Sequence, residues 1–167
     1  MDFNQQLKKV KGTMKFQRTV ILVKPDGVQR GLIGKVLTRF EDKGLKLVGL
    51  KLMNVDDVVL ESHYSHLKDK PFFQSIKDYM KSSPVVAMVW EGVEAVQTVR
   101  TICGTTNSLE ATPGTIRGDF GMGKPANIIH SSDSPENAEA EIVRFFDAKE
   151  IYDYDKTEYM YVYWPDS

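Results

Sequence analysis

Apolar residues recur along the chain with two spacings, and each spacing predicts one kind of secondary structure. Short unbroken runs of aliphatic and β-branched residues are typical of buried strands. Four stretches rich in such residues cover residues 16–23, 45–53, 85–90 and 127–130, and the longest unbroken runs in them are 20–23 and 85–90. The first run stops at the Lys-Pro-Asp-Gly sequence of a turn, and the third follows a Ser-Ser-Pro turn.

Between these runs, apolar residues at intervals of three and four predict amphipathic helices. The expected helices cover residues 32–43, 56–67, 73–80, 93–103 and 134–146. The last helix is marked by Ser134 and Pro135, a capping residue followed by proline at the first helical position. The order of elements predicts an α/β or α+β sandwich, with about four core strands and helices packed on the sheet.

One segment, residues 105–120, follows neither spacing and contains a Pro-Gly pair. Loops of this length inside a compact domain are usually functional. We therefore expect this segment to be a functional loop.

Three polar residues stand at helix positions where the apolar spacing calls for hydrophobic ones. Arg100 lies four residues after Val96, and Glu141 lies three residues after Ala138, each in line with the apolar stripe of its helix. Tyr64 lies within the apolar stripe of a third helix. A charge removed from water without a partner costs several kcal/mol. Each charged residue must therefore be paired, reach solvent at the edge of its stripe, or line a cleft. Two opposite charges of this kind in one small domain favour a polar cleft.

The three histidines differ in their surroundings. His63 and His66 are three residues apart on a predicted helix, which is compatible with a metal site. Because only two ligands are visible there, a surface or stripe-edge position is favoured. His130 ends a predicted strand and directly precedes a helix start, which is an anion-favouring position. A structural histidine is the alternative for His130.

Length and composition predict an ordinary globular chain. It has 167 residues, of which 41% are hydrophobic and 27% charged, enough for one domain with a real core. The 22 basic and 23 acidic residues give a net charge of -1, which argues against a dedicated nucleic-acid or anionic-membrane binder. Cys103 is the only cysteine, so an internal disulfide and a cysteine-based metal site are excluded.

The sequence also predicts the cellular location of the protein and the character of its two terminal segments. The longest apolar runs are strand-sized, and the first residues lack the apolar block of a signal peptide. We therefore expect a cytoplasmic protein that does not enter membranes. Residues 1–16 are predicted to form a flexible N-terminal arm, and residues 17–167 the folded domain with an aromatic-rich C-terminal tail.

Five stretches, taken in order, resemble the signature sequences of nucleoside diphosphate kinases. They are residues 24–31, 63–64 with 70–73, 84–92, 113–120 and 127–134. The resemblance implies a ferredoxin-like α+β sandwich with a four-stranded antiparallel sheet. It also implies transfer of the terminal phosphoryl group from a nucleoside triphosphate, typically ATP, to a nucleoside diphosphate. The implied route is a ping-pong mechanism through a phosphohistidine. Mg²⁺ would be held mainly by the nucleotide phosphates, and the chain would form a homo-oligomer, a hexamer rather than a tetramer.

The resemblance further implies roles for individual residues. His130 matches the nucleophile, Glu141 the carboxylate that bonds its imidazole, and Ser132 a hydrogen-bonding neighbour. Phe72 matches the residue that stacks on the base. The residues that match contacts to the phosphates and the sugar are Lys24, Tyr64, Arg100, Thr106, Arg117 and Asn127. Lys24 and Tyr64 are expected among the catalytic residues as well.

The sequence departs from the family pattern at a few positions. Ser131 follows His130 where glycine is usual, and Ser108 replaces a common proline. Lys124 falls where an apolar residue commonly closes the base site. Two other functions stay open, namely a regulatory module without catalysis and an RNA-binding domain of similar shape. The intact candidate residues disfavour the first, and the missing basic sheet face disfavours the second.

Overall fold

A computed structural model describes residues 3–164 of the chain. Its strands form one antiparallel sheet in the order β2-β3-β1-β4. Their bounds are Phe16–Val23 (β1), Lys46–Met53 (β2), Val85–Val93 (β3) and Ile129–Ser131 (β4). The predicted ferredoxin-like α+β sandwich is thereby confirmed, and the α/β alternative is excluded because every pairing is antiparallel.

Nine α-helices surround the sheet within the described residues. In chain order they are Phe3–Thr13 (α1), Pro25–Gln29 (α2), Ile33–Asp42 (α3), Asp57–His63 (α4), Phe73–Lys81 (α5), Ala95–Cys103 (α6), Ile116–Phe120 (α7), Pro135–Phe145 (α8) and Tyr159–Val162 (α9). Short 3₁₀ turns cover Ser65–Leu67, Ser108–Glu110 and Ala148–Glu150.

Both faces of the central strand are buried. Ile21 and Val23 of β1 enter one apolar cluster, which is completed by residues of α3 and α6. Val20 and Leu22 enter a second cluster, which includes residues of α4, α5 and α8. Because helices cover both faces, residues 20–23 of β1 form a continuous apolar run rather than an alternating pattern. Burial on both sides holds the end of β1 firmly beside β4, which carries His130.

The connection into β4 is tied to the end of β1 by a strained residue. Ile128 has a φ of 71°, a value that β-branched residues rarely adopt. Its amide donates to Asp26 Oδ2 at 3.0 Å, and its carbonyl accepts from the amide of Lys24 at 2.8 Å. Tyr79 donates to the other oxygen of Asp26 at 2.6 Å. These bonds fix the backbone two residues before His130, where strain often accompanies function.

Local structure differs from the sequence prediction in two internal segments. Residues 24–27, expected only as a turn, begin helix α2, since Pro25 occupies its first position. The expected loop over residues 105–120 contains a 3₁₀ turn and helix α7, which is capped by Thr115. Five-residue helices are too short to show a helical period, so the spacing could not reveal them.

The two ends of the chain pack against each other. Leu7 and Val10 of α1 and Tyr159 of α9 are buried, and Lys11 pairs with Asp155. The sequence predicts a flexible arm over residues 1–16, whereas the structure has a docked helix there. The flexibility and the boundary between arm and domain stay predictions. Residues 1–2 of the arm and 165–167 of the tail lie outside the described residues. No helix among residues 3–164 has both the length and the apolar character needed to cross a bilayer.

The segment between α8 and α9 runs back along the outer edge of β2. The amide of Tyr152 donates to the carbonyl of Val48 at 2.8 Å, and the Tyr154 hydroxyl donates to the carbonyl of Leu47 at 2.7 Å. These bonds satisfy backbone groups on part of an edge strand that would otherwise be unpaired.

Candidate active site

A cavity of about 690 Å³ opens beside the end of β4. Most of the residues singled out from the sequence line it. They are Lys24, Tyr64, Arg100, Thr106, Arg117, Asn127, His130 and Glu141. Ser132 lies behind Glu141, and Phe72 lies outside this lining with 49% of its surface exposed. The fold therefore brings together residues that are more than a hundred positions apart in the sequence.

His130 is held from one side by Glu141. Its Nε2 lies 3.0 Å from Glu141 Oε1 and 3.1 Å from Oε2. Ser132 Oγ donates to Glu141 Oε2 at 2.6 Å and accepts from the amide of Val20 at 3.1 Å. A carboxylate can only accept, so it selects the imidazole form with the proton on Nε2. The lone pair is then on Nδ1, which makes this nitrogen the candidate nucleophile.

Glu141 stays ionised although it is buried. Burial by itself raises the pKa of the carboxyl, but the hydrogen bond and charge of His130 and the hydrogen bond from Ser132 outweigh it. The net effect is a pKa below the ordinary value. Glu141 thus has the partners that its place on an apolar stripe requires.

His63 is a site residue that the sequence prediction placed wrongly. It is buried, and its ring packs edge-on against that of His130 with centroids 4.4 Å apart. Its Nδ1 lies 3.6 Å from Glu141 Oε1 and 3.4 Å from Arg144 Nη1. Burial, followed by the neighbouring His130, lowers the pKa of His63 to about 3, so the ring is neutral. The signal was present, because His63 is three residues after the buried Leu60 on α4.

Lys24 and Arg117 bring positive charge to the cavity on fixed side chains. Lys24 Nζ donates to Asn127 Oδ1 at 2.7 Å, and Asn127 Nδ2 donates to the carbonyl of Thr106 at 2.8 Å. Arg117 donates to the carbonyls of Gly104 and Ile129 at 2.6 and 2.7 Å. Burial and the charge of Arg117 lower the pKa of Lys24 to about 8. Among the described residues, neither cation has a carboxylate within ion-pair distance, so an anion would complete the site.

Arg100 reaches the cavity from the last turn of α6. The residue is exposed and lines the cavity, so it both reaches solvent at the edge of its stripe and faces a cleft, two of the alternatives that its spacing left open. Helix α6 buries its stripe through Val96, Val99 and Cys103. Arg100 lies at the edge of this stripe, where its long side chain extends into the cleft.

Tyr64 and the start of α8 complete the walls. Tyr64 is half-buried, and burial followed by the charge of Glu141 raises its pKa to about 12, so the hydroxyl keeps its proton.

Ser134 caps α8 by accepting from the amide of Asn137 at 3.1 Å. Helix α8 begins five residues after His130 and Asn137 of its first turn lines the cavity, so the partial positive charge of the helix start lies at this cavity. The arrangement suits a polyanion presented to the free nitrogen of His130.

Comparison with known proteins identifies the family. The family model described as nucleoside diphosphate kinase matches residues 17–151. A nucleoside diphosphate kinase of Parabacteroides distasonis is 53% identical over 88% of this chain and 96% of its own length. One from Natronomonas pharaonis is also 53% identical, over 88% of this chain and 97% of its own length.

Solved structures agree with these relatives. The structure of a halophilic nucleoside diphosphate kinase from Halobacterium salinarum in complex with CDP has a TM-score of 0.87 and 48% identity, and the match covers 89% of this chain and 99% of that one. A nucleoside diphosphate kinase family protein from Babesia bovis has a TM-score of 0.86 and 45% identity, covering 88% and 99%. The chain therefore belongs to the nucleoside diphosphate kinase family of phosphotransferases, which transfer phosphate between nucleotides.

Proposed function

We propose that the chain transfers the terminal phosphoryl group of a nucleoside triphosphate, typically ATP, to a nucleoside diphosphate through a phosphohistidine on His130. The observation that carries this proposal is the pair formed by His130 Nε2 and Glu141, 3.0 Å apart, in a cavity that also contains Lys24, Arg100 and Arg117. The pair leaves Nδ1 with a lone pair. We expect the cations to bind the phosphates.

In the first half-reaction, the Nδ1 lone pair attacks the terminal phosphorus. An N–P bond forms, the bond from phosphorus to the bridging oxygen breaks, and the nucleoside diphosphate leaves with that electron pair. The imidazole becomes positively charged, and Glu141 stabilises this charge through Nε2–H. In the second half-reaction, a terminal oxygen of another nucleoside diphosphate attacks the phosphorus, and His130 leaves as neutral imidazole. The same site serves both halves, as a ping-pong route requires.

The remaining candidate residues position the phosphates and stabilise their charge. Phosphoryl transfer needs little more from a protein than alignment and charge stabilisation. We assign Lys24, Arg100 and Arg117 to the phosphate oxygens. Tyr64, Thr106 and Asn127 supply polar groups for the phosphates or the sugar. Phe72, half exposed beyond the cavity lining, is available to stack on a base.

Magnesium fits this site as a cation delivered by the nucleotide. The carboxylates on the cavity lining are Asp133 and Glu141, and Glu141 is engaged by His130 and Ser132. Mg²⁺ prefers oxygen ligands and retains waters, so phosphate oxygens would be its main ligands and Asp133 could contact its water shell. When bound, the ion neutralises phosphate charge. A homo-oligomer, a hexamer rather than a tetramer, and a cytoplasmic location stay predictions from the sequence.

The test is labelling with ATP that carries radioactive terminal phosphate. We expect stoichiometric, acid-labile label on the wild-type chain and on His66→Ala, in which an exposed histidine at the cavity rim is removed. His130→Ala should take up no label and form no new triphosphate. Labelling and turnover by His130→Ala would overturn the mechanism. Nucleotide binding with no labelling of the wild type would instead support the regulatory module.

A further inference from the structure

His63, His130 and Glu141 form a cluster whose composition is unusual for a phosphate-binding cavity. One ligand atom from each of the three residues lies within 4.8 Å of the others. All three side chains line the cavity, so a small ion can reach them. Two imidazoles and one carboxylate are a ligand set of catalytic zinc sites, which keep a fourth position open.

The separations between ligand atoms match the size of such a site. A tetrahedral cation at 2.0–2.1 Å from each ligand places the ligand atoms about 3.3–3.4 Å apart. His130 Nε2 lies 3.0 Å from Glu141 Oε1, and His63 Nδ1 lies 3.6 Å from the same oxygen. The ligand atoms of the two histidines lie within 4.8 Å of each other, so the imidazoles would have to close on the ion by side-chain movement.

The contacts of His63 also suit a metal. The Nε2 of His63 is buried with no hydrogen-bond partner in the described part of the chain, while its Nδ1 faces Glu141 and Arg144. One group opposes binding, because the Arg144 guanidinium lies 3.4 Å from that Nδ1 and must move aside.

We propose that His63, His130 and Glu141 bind a zinc-class divalent cation, and that the bound cation prevents phosphorylation of His130. The second half rests on the proposed function. A cation on Nε2 takes the lone pair of that nitrogen, so the proton of neutral imidazole resides on Nδ1. With a proton on Nδ1, the ring has no lone pair directed at the nucleotide. The cation therefore inhibits by binding Nε2 rather than the nucleophilic Nδ1, and it does not occupy the phosphate subsites of Lys24 and Arg117.

This site is chemically distinct from that of magnesium. Nitrogen-rich sites favour zinc, cobalt and nickel, whereas Mg²⁺ prefers oxygen ligands. We therefore expect excess Mg²⁺ to leave the cluster unoccupied. Inhibition should depend on the concentration of free zinc-class cation rather than on the nucleotide complex of magnesium.

The first experiment measures binding without any reaction. Nucleotide-free protein is titrated with Co²⁺, whose visible absorption is intense in tetrahedral sites, and Zn²⁺ is then added as a competitor. We expect a tetrahedral spectrum that Zn²⁺ abolishes. The spectrum should persist in His66→Asn. In His63→Asn, the affinity for Co²⁺ should fall at least about tenfold. An unchanged spectrum in His63→Asn, or an equal loss in His66→Asn, would overturn the site.

A measurement on the wild-type chain covers the case in which His63→Asn does not fold. With histidine labelled by ¹⁵N, Zn²⁺ should shift the signals of His130 Nε2 and His63 Nδ1 and leave both nitrogens of His66 in place. Shifts confined to His66 would contradict the proposal.

The second experiment tests the inhibition. With free Zn²⁺ set by a metal buffer and Mg²⁺ in excess, labelling of His130 by ATP should be lost while ADP still binds. Displacement of ADP, or full labelling at saturating zinc, would contradict inhibition by a cation bound to Nε2. If the wild-type chain is never labelled, the proposed function fails, whereas the cobalt spectrum still decides whether the cation site exists.

Discussion

Ser132 Oγ donates a 2.6 Å hydrogen bond to the same carboxylate oxygen of Glu141 that lies 3.1 Å from His130 Nε2. The hydroxyl also accepts from the amide of Val20 at 3.1 Å. Ser132 thus joins the central strand β1 to the carboxylate that orients the candidate nucleophile. Both of its bonds are buried, so removing the hydroxyl leaves a backbone donor and a carboxylate oxygen without this partner.

Ser132→Ala should therefore affect both stability and rate. We expect a loss of about 1–3 kcal/mol in the free energy of unfolding, since a buried donor becomes unsatisfied. Phosphoenzyme formation should slow, because Glu141 loses one constraint. Urea melts and single-turnover labelling measure the two effects. Ser75→Ala, an exposed serine on α5, is the control, and an equally small effect of both variants would contradict this role of Ser132.

Glu141→Gln should slow chemistry far more than it weakens binding. The amide can turn its NH₂ group toward Nε2, which favours the tautomer with the proton on Nδ1. We expect a decrease of about 10²- to 10⁴-fold in the rate of phosphoenzyme formation, by analogy with other tautomer-setting carboxylates. ADP affinity should change little. Glu139→Gln, on the exposed face of α8, is the matched control, and a dominant effect on ADP affinity would argue against this role.

Lys24 should make ADP binding sensitive to alkaline pH. Burial and Arg117 lower the pKa of Lys24 to about 8, so the nucleotide-free site loses this charge as the pH rises through that value. We expect ADP affinity to fall above pH 8, at most about tenfold per pH unit. Lys24→Arg keeps its charge, so its ADP affinity should not fall above pH 8. Calorimetric titrations at pH 7 to 10 measure the ADP affinity of both proteins. A fall of equal size in both proteins would assign the pH dependence to another group.

His63 should make stability decrease in mild acid. Its pKa is about 3 in the folded state, against an ordinary value near 6.5. Between these values the unfolded chain binds a proton that the folded chain does not, so stability falls as the pH drops below about 6.5. The slope is at most about 1.4 kcal/mol per pH unit.

The comparison of variants isolates this contribution. Denaturant melts from pH 7 to 5 should show the slope in the wild type and in His66→Asn, and a shallower slope in His63→Asn. If His63→Asn kept the full slope, titration of His63 would not be its cause.

The sequence predicted most of the fold but only part of the site. The two inner strands are visible because both of their faces are covered, which makes residues 20–23 and 85–90 continuous apolar runs. Arg100 and Glu141 were visible because a charge on an apolar stripe violates the helical period. His63 lies on the buried stripe of α4, three residues after Leu60, but this spacing alone did not distinguish a site residue from one at the edge of the stripe. Helix α1 was also missed, since only Leu7 and Val10 of its described side chains are buried, too few to establish a period.

The central claim is that His130 accepts phosphate on Nδ1 while Glu141 holds Nε2. The most direct measurement is ¹⁵N–³¹P NMR of the phosphorylated chain, prepared with ¹⁵N-labelled histidine and kept at alkaline pH. We predict one phosphorus coupled to Nδ1 of His130 and a proton retained on Nε2. A phosphorus coupled to Nε2, or bonded to any residue other than His130, would contradict the claim.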